Sequence, residues 1–197
     1  MIHRSDEFQP SREALLSEVA RLVANTPDLG RLLEQLTNLV RERLAFDLCI
    51  LALQSNDART YQLQVLFETQ RLIPPLAETT FPLERGIAGM VIRTNELHLV
   101  SDSKAIQDEF GLLGGPVLGD QSLAALLSLP LQVYGRVFGA VTFATTSPAG
   151  YDDVDIHFAA SIATHLAIAI DRLQQAQQFQ HIRQELTRLA SFPELNP

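Results

Sequence analysis

The sequence predicts an α+β domain, an antiparallel sheet with helices packed on it. Three observations predict it: residues 123–145 read as a hairpin of two apolar strands, a long helix follows directly, and two shorter helices precede an earlier hairpin. The order is two helices, two strands, short elements, two strands and one long helix, with no internal repeat.

Residues 1–10 are polar and read as a flexible amino terminus. Ala14, Leu15, Leu16, Val19, Leu22 and Val23 then recur at helical spacing, with Ser11 as the N-cap. Asn25-Thr26-Pro27-Asp28 ends this helix, and Asp28 caps a second. The apolar face of the second is Leu29, Leu32, Leu33, Leu36, Leu39, Val40 and Leu44, so it packs on a core.

Residues 46–53 switch to a nearly continuous apolar run, as suits a strand buried on both faces. A turn at 55–59 leads to the alternation Tyr61, Leu63, Val65, Phe67, so the two segments form a hairpin. Pro74 and Pro75 remove two backbone donors and interrupt the sheet, and a short strand follows near 79–81.

Gly86 and Thr94-Asn95 mark the ends of a short helix, and Gly86 and Gly89 leave one side bare for close approach to a sheet or ligand. After a short strand at 97–100, Asp102 caps a helix expected at 103–110. Residues 111–120 carry four glycines and a proline and read as a mobile binding loop.

In the late hairpin, Leu123, Ala125, Leu127, Leu129, Leu131 and Val133 fall on one face. Ala124, Leu126, Ser128, Pro130 and Gln132 fall on the other. Gly135 sits in the turn, and Gly139 marks a close approach on the second strand. An aspartate caps the last helix, where Asp152 and Asp153 favour the first turn. Along it Ile162, Leu166, Ala169, Leu173 and Ala176 are spaced as a coiled-coil seam. This seam continues through Phe179, Ile182, Leu186 and Leu189 after a 3-3 step, a stammer. The glutamine-rich second half is too polar for a core and reads as an exposed rod that pairs with its copy.

Composition excludes several classes. With 46% apolar and 19% charged residues in 197, the chain has ample material for a core. A net charge of −8, a single lysine and scattered arginines argue against nucleic acid. The longest apolar run, at 123–131, falls short of the roughly 20 residues a membrane span needs. No secretory signal opens the sequence, and Cys49 is the only cysteine. These features point to a soluble cytoplasmic protein with no membrane partner.

Several motifs resemble the GAF domain family. Leu83-Glu84-Arg85-Gly86-Ile87-Ala88-Gly89-Met90-Val91 precedes Leu97-His98-Leu99-Val100-Ser101-Asp102, as in the family's mid-domain signature. Ser128-Leu129-Pro130-Leu131, Gly135-Arg136-Val137-Phe138-Gly139-Ala140-Val141 and Tyr151-Asp152-Asp153-Val154-Asp155 follow in order. Ala163-Thr164-His165-Leu166-Ala167-Ile168-Ala169-Ile170 completes the match, which spans roughly residues 12–175. The resemblance implies a sheet with a helical bundle on one face and a loop-covered ligand cavity on the other. It implies dimerisation through the first and last helices, here Leu15, Leu22, Ile162, Leu166, Ala169, Leu173, Phe179, Ile182 and Leu186. It also implies a role as a non-catalytic input module in bacterial signalling. The sensory domain is expected at 11–175 and a helical linker at 176–197. The tail from Leu189 to Pro197 resembles the opening of a PAS domain, which implies a downstream PAS or output domain in cis.

Each ligand class of the family meets a test. Cyclic-nucleotide binders carry an Asn-Lys pair after the penultimate strand, where this chain has Ala144-Thr145-Thr146. Bilin chromophores need a cysteine in a loop, whereas Cys49 lies in a buried strand, where a small apolar thiol suits a core. The GAF-type methionine sulfoxide reductases use several cysteines, and one buried thiol cannot complete that cycle. His157 and His165 are about 12 Å apart by helical rise and cannot share an ion, so His98 is the one haem-ligand candidate. Nothing resembles a catalytic triad, a P-loop or a dinucleotide fingerprint. The cavity is expected to be lined by Leu126, Ser128 and Thr142, closed by Val91, Ile106 and Phe110, with Asp102 its one charged group. That lining suits a small, mostly apolar molecule, and no cofactor is named by it. A filled core suits a second reading, a ligand-free dimerisation and relay domain. A haem- or redox-sensing domain is a third.

Overall fold

The computed structural model describes residues 12–26, 28–69, 80–102, 104–106, 108 and 123–190. In chain order its elements are α1 (Arg12–Asn25), α2 (Leu29–Arg41), β1 (Leu48–Gln54), β2 (Thr60–Glu68) and β3 (Thr80–Pro82). Then come α3 (Gly86–Thr94), β4 (His98–Val100), β5 (Ala125–Val133), β6 (Arg136–Thr145) and α4 (Asp153–Ala190). The expected N-cap Ser11, the prolines at 74 and 75, Phe110, the glycine-rich stretch at 111–120 and the tail at 191–197 lie outside the described residues.

Local chemistry starts the helices. Asp28 has extended backbone, and its carboxylate accepts the Arg31 N–H at 2.8 Å. At α4 the caps are reciprocal: Asp155 N–H donates to the Asp152 carboxylate at 2.8 Å and Asp152 N–H to that of Asp155 at 3.4 Å. Asp153 and Asp155 also place negative charge at the positive end of the helix dipole.

The six strands make one antiparallel sheet in the order β3-β2-β1-β6-β5-β4. Tyr134 and Gly135 both have positive φ, +50° and +79°, as a two-residue hairpin turn requires. Gly139 lies where a Cβ would come 2.5 Å from the Ala52 carbonyl oxygen, so β6 and β1 meet closely there. A Cβ on Gly89 would come 2.3 Å from the Leu83 carbonyl oxygen. The bare side of α3 thus admits the loop ahead of it.

Each face of the sheet has its own core. On one face Leu51, Val141, Phe143, Leu127 and Leu129 pack under α2 and α4, with Val19 of α1 joining them. On the other, Leu48, Ile50, Tyr61, Leu126 and Ala140 pack under Ile87, Val91 and Ile92 of α3.

Three details correct the sequence reading. Phe67 does not share a face with Tyr61 and Leu63: a bulge at Cys49/Ile50 adds one residue to β2, so Leu66 and Phe67 both pack on the bundle side. Leu123 precedes the strand and joins the α3-side cluster instead of the face of Ala125. The third concerns the expected helical interface. Ile162, Leu166 and Ala169 are buried in the chain's own core, and Leu22 and Leu173 pack against it half-buried. A partner cannot reach the first three. Leu15 is placed in α1, while Phe179, Ile182 and Leu186 are exposed. One stretch of α4 is long and apolar enough to cross a membrane, and its apolar side includes these core residues.

Candidate functional site

The α3 face differs from the bundle face in side-chain size. Where the central strands show Leu51, Val141, Phe143 and Leu127 to the bundle, they show Ala52, Ala140, Thr142, Ala144 and Ser128 to α3, alongside Leu48, Ile50 and Leu126. Residues directly opposite in antiparallel strands share a face, and His98 pairs with Ser128, Ser128 with Thr142, and Thr142 with Ile50. A row His98–Ser128–Thr142–Ile50 therefore crosses four strands, from the half-buried edge to the sheet centre.

Ser128 and Thr142 are both buried, and their hydroxyl oxygens lie 2.9 Å apart. Each hydroxyl carries one proton, and their mutual bond uses only one of the two. No further partner is described for either, so one O–H remains available beside an apolar cluster. That donor is the polar feature a small ligand with an acceptor group would meet.

Val91, Ile106 and Leu126 fall in the same closed cluster, each at most 2% exposed. Asp102 is exposed, and its carboxylate accepts the N–H groups of Lys104 and Ala105 at 2.8 and 3.1 Å. It caps the turn at 104–106 and does not face the cluster's interior. The phenol of Tyr61 donates to the Arg85 carbonyl at 2.8 Å, pinning the segment that leads into α3.

The described residues contain no group of three or more potential metal ligands around His98 or elsewhere. His157 is exposed and donates through Nδ1 to the Asp153 carbonyl at 2.6 Å. Cys49 is buried, and burial pushes its thiol well above the usual range. The void beside it, walled by Leu33, Val40 and Phe143 among others, holds only about 20 Å³, far too little for a chromophore.

A second feature had no counterpart in the sequence reading. Arg136, at the start of β6, forms an ion pair with the buried Asp171 of α4 at 3.1 Å, and Gln175 donates to the other Asp171 oxygen at 2.6 Å. They border a polar groove of about 620 Å³ with Gln54, Asn56 and Gln178. The one available signal was an aspartate directly after the apolar run ending at Ile170.

The sequence model of the GAF domain matches residues 26–171. The chain belongs to the GAF domain family. No curated protein matches it. Among solved structures, the GAF domain of an Acinetobacter phosphoenolpyruvate-protein phosphotransferase is similar with a TM-score of 0.64 at 15% identity, covering 82% of this chain and 93% of that one. A free methionine-R-sulfoxide reductase from Neisseria meningitidis, solved with its substrate, gives 0.64 at 19% identity, covering 89% and 97%. Residues 122 to 287 of a methyl-accepting chemotaxis protein give 0.60 at 13% identity, covering 80% and 98%. The GAF fold thus occurs in a phosphotransferase, a reductase and a chemotaxis protein, and at these identities the likeness concerns the fold alone.

Proposed function

We propose that this GAF domain is a non-catalytic sensory or regulatory input module. It binds a small, largely apolar molecule on the α3 face of its sheet and relays binding through paired helices. The observation that carries the reading is the buried Ser128–Thr142 pair, with one unused proton, beside an otherwise apolar cluster. The lone thiol, buried and hard to ionise, supports a binding role over the reductase chemistry of one structural neighbour. The setting is cytoplasmic, and the output is a PAS or other signalling domain joined in cis beyond α4.

A thermal-shift panel of metabolites, nucleotides and haem tests the ligand. At least one class should raise Tm, and Thr142→Val should diminish that shift. Stabilisation by none of them overturns the ligand reading. The second reading, a ligand-free dimerisation and relay domain, then takes its place. Val91, Ile106 and Leu126 favour that one, because they close together as an ordinary filled core.

A further inference from the structure

The polar groove at the Arg136–Asp171 pair opens on the bundle side of the sheet, between residues of β6 and α4. Three segments wall it: the β1–β2 turn with Asn56, the start of β6, and α4 from Asp171 to Gln178. The Asp171 side chain is only 10% exposed, and both its oxygens are engaged, one by Arg136 and one by Gln175. The Arg136 side chain is 68% exposed and gives Asp171 a single N–H. Four of its five donors have no described partner. The open face of the pair is therefore cationic, although the chain as a whole carries a net charge of −8.

The guanidinium is held in place before any ligand arrives. Besides the ion pair, its central carbon lies 5.7 Å from the centre of the Phe138 ring, a buried residue of the same strand. An arginine fixed on two sides loses less rotamer freedom on binding than a free one. The amides of Gln54, Asn56, Gln174, Gln177 and Gln178 share the lining, neutral groups that each donate and accept. Arg136 and Asp171 are the charged residues of the described lining. Asp57, in the same turn, gives its carboxylate to the N–H of Arg59 at 2.9 Å.

We propose that this groove is a second binding site, for a small monocarboxylate that also carries hydroxyl or amide groups. The unused edge of Arg136 takes the planar carboxylate, and the side-chain amides take the neutral polar groups. A single arginine with Asp171 behind it cannot balance a phosphate dianion, and no lysine stands in the described lining to help. Drawing Arg136 away would leave the buried Asp171 carboxylate short of its cation, so the ligand binds on the outer edge with the pair intact. A volume of about 620 Å³ is ample for a molecule of this class.

Nuclear magnetic resonance titration of the full chain with gluconate, N-acetylglycine, propionate and inorganic phosphate tests the assignment. Gluconate and N-acetylglycine should shift the resonances of Asn56, Arg136 and Gln178 and bind about tenfold more tightly than propionate. Phosphate should bind more weakly than either. Arg136→Lys keeps a cation for Asp171 but loses the planar fork, so it should weaken both ligands about tenfold with Tm nearly unchanged. Gln178→Ala, at an exposed position of α4, should weaken gluconate several-fold, so the test holds even where Arg136→Lys fails to fold. Arg93→Gln removes an exposed arginine of α3 and should leave these affinities as they are. Propionate binding as tightly as gluconate overturns the role of the amides, and phosphate doing so overturns the carboxylate class. No shift in the groove with either ligand, or full affinity in both Arg136→Lys and Gln178→Ala, overturns the site.

Discussion

The two faces of the sheet are built from the same strands to opposite ends. The bundle face carries large apolar side chains from β1, β5 and β6 against Phe158, Ile162 and Leu166 of α4. The α3 face sets alanines and a hydroxyl pair beside Leu48, Ile50 and Leu126 under a short helix. Interdigitated large side chains give many dispersion contacts and a steep penalty for any void, whereas small ones give little packing energy. The difference predicts that substitutions around the hydroxyl pair cost less than those among the large side chains of the bundle face.

Breaking the bundle face should have the largest effect. Phe158→Ala removes a fully buried ring and should lower the unfolding free energy by about 3–5 kcal/mol in urea denaturation. Any ligand-induced change in the α3-face amide resonances should survive it. On the α3 face, Ser128→Ala strands the Thr142 hydroxyl and should cost about 1–3 kcal/mol. Adding Thr142→Val should then recover part of that loss, since no hydroxyl is left unmatched. A double-mutant cycle reads the coupling, and strictly additive losses would show that the two hydroxyls act independently.

Smaller effects sharpen the contrast. Tyr151 is buried on the bundle side with no described partner for its hydroxyl, and burial, foremost, holds its ionisation above the usual range. Tyr151→Phe should therefore leave Tm unchanged or raise it slightly, and a clear fall would reveal a partner for the oxygen. The smallest expected signal is chemical. Burial disfavours the Cys49 thiolate, so alkylation in native buffer should be negligible and become fast only in denaturant. Rapid native labelling would show that the bundle face opens.

What the sequence revealed follows how local each cause is. Caps act within one helical turn, so Asp28 and the start of α4 were legible, as were the bounds of α3 between Gly86 and Asn95. The faces of Ser128 and Thr142 followed from simple alternation. Their pairing did not, because register depends on the turn at Tyr134-Gly135 and on an irregularity at Leu131/Gln132. The bulge in β2 had no glycine or proline to announce it. In α4, a heptad count cannot distinguish an apolar stripe facing the core from one facing outward, and only the extent of the sheet decides where one gives way to the other.

Mechanically, α4 is a cantilever. Its first half is clamped by the core, Asp171 is gripped by Arg136 of the sheet, and Leu173 packs half-buried beside it. From there to Leu186 about 15 residues project as a beam of roughly 22 Å, so a rock of only about 5° at the clamp moves the tip by about 2 Å. Displacements of about 1–2 Å are what helices at subunit interfaces use to switch. A disturbance of β6 too small to alter the fold would thus reach the far end of the beam as a lateral stroke.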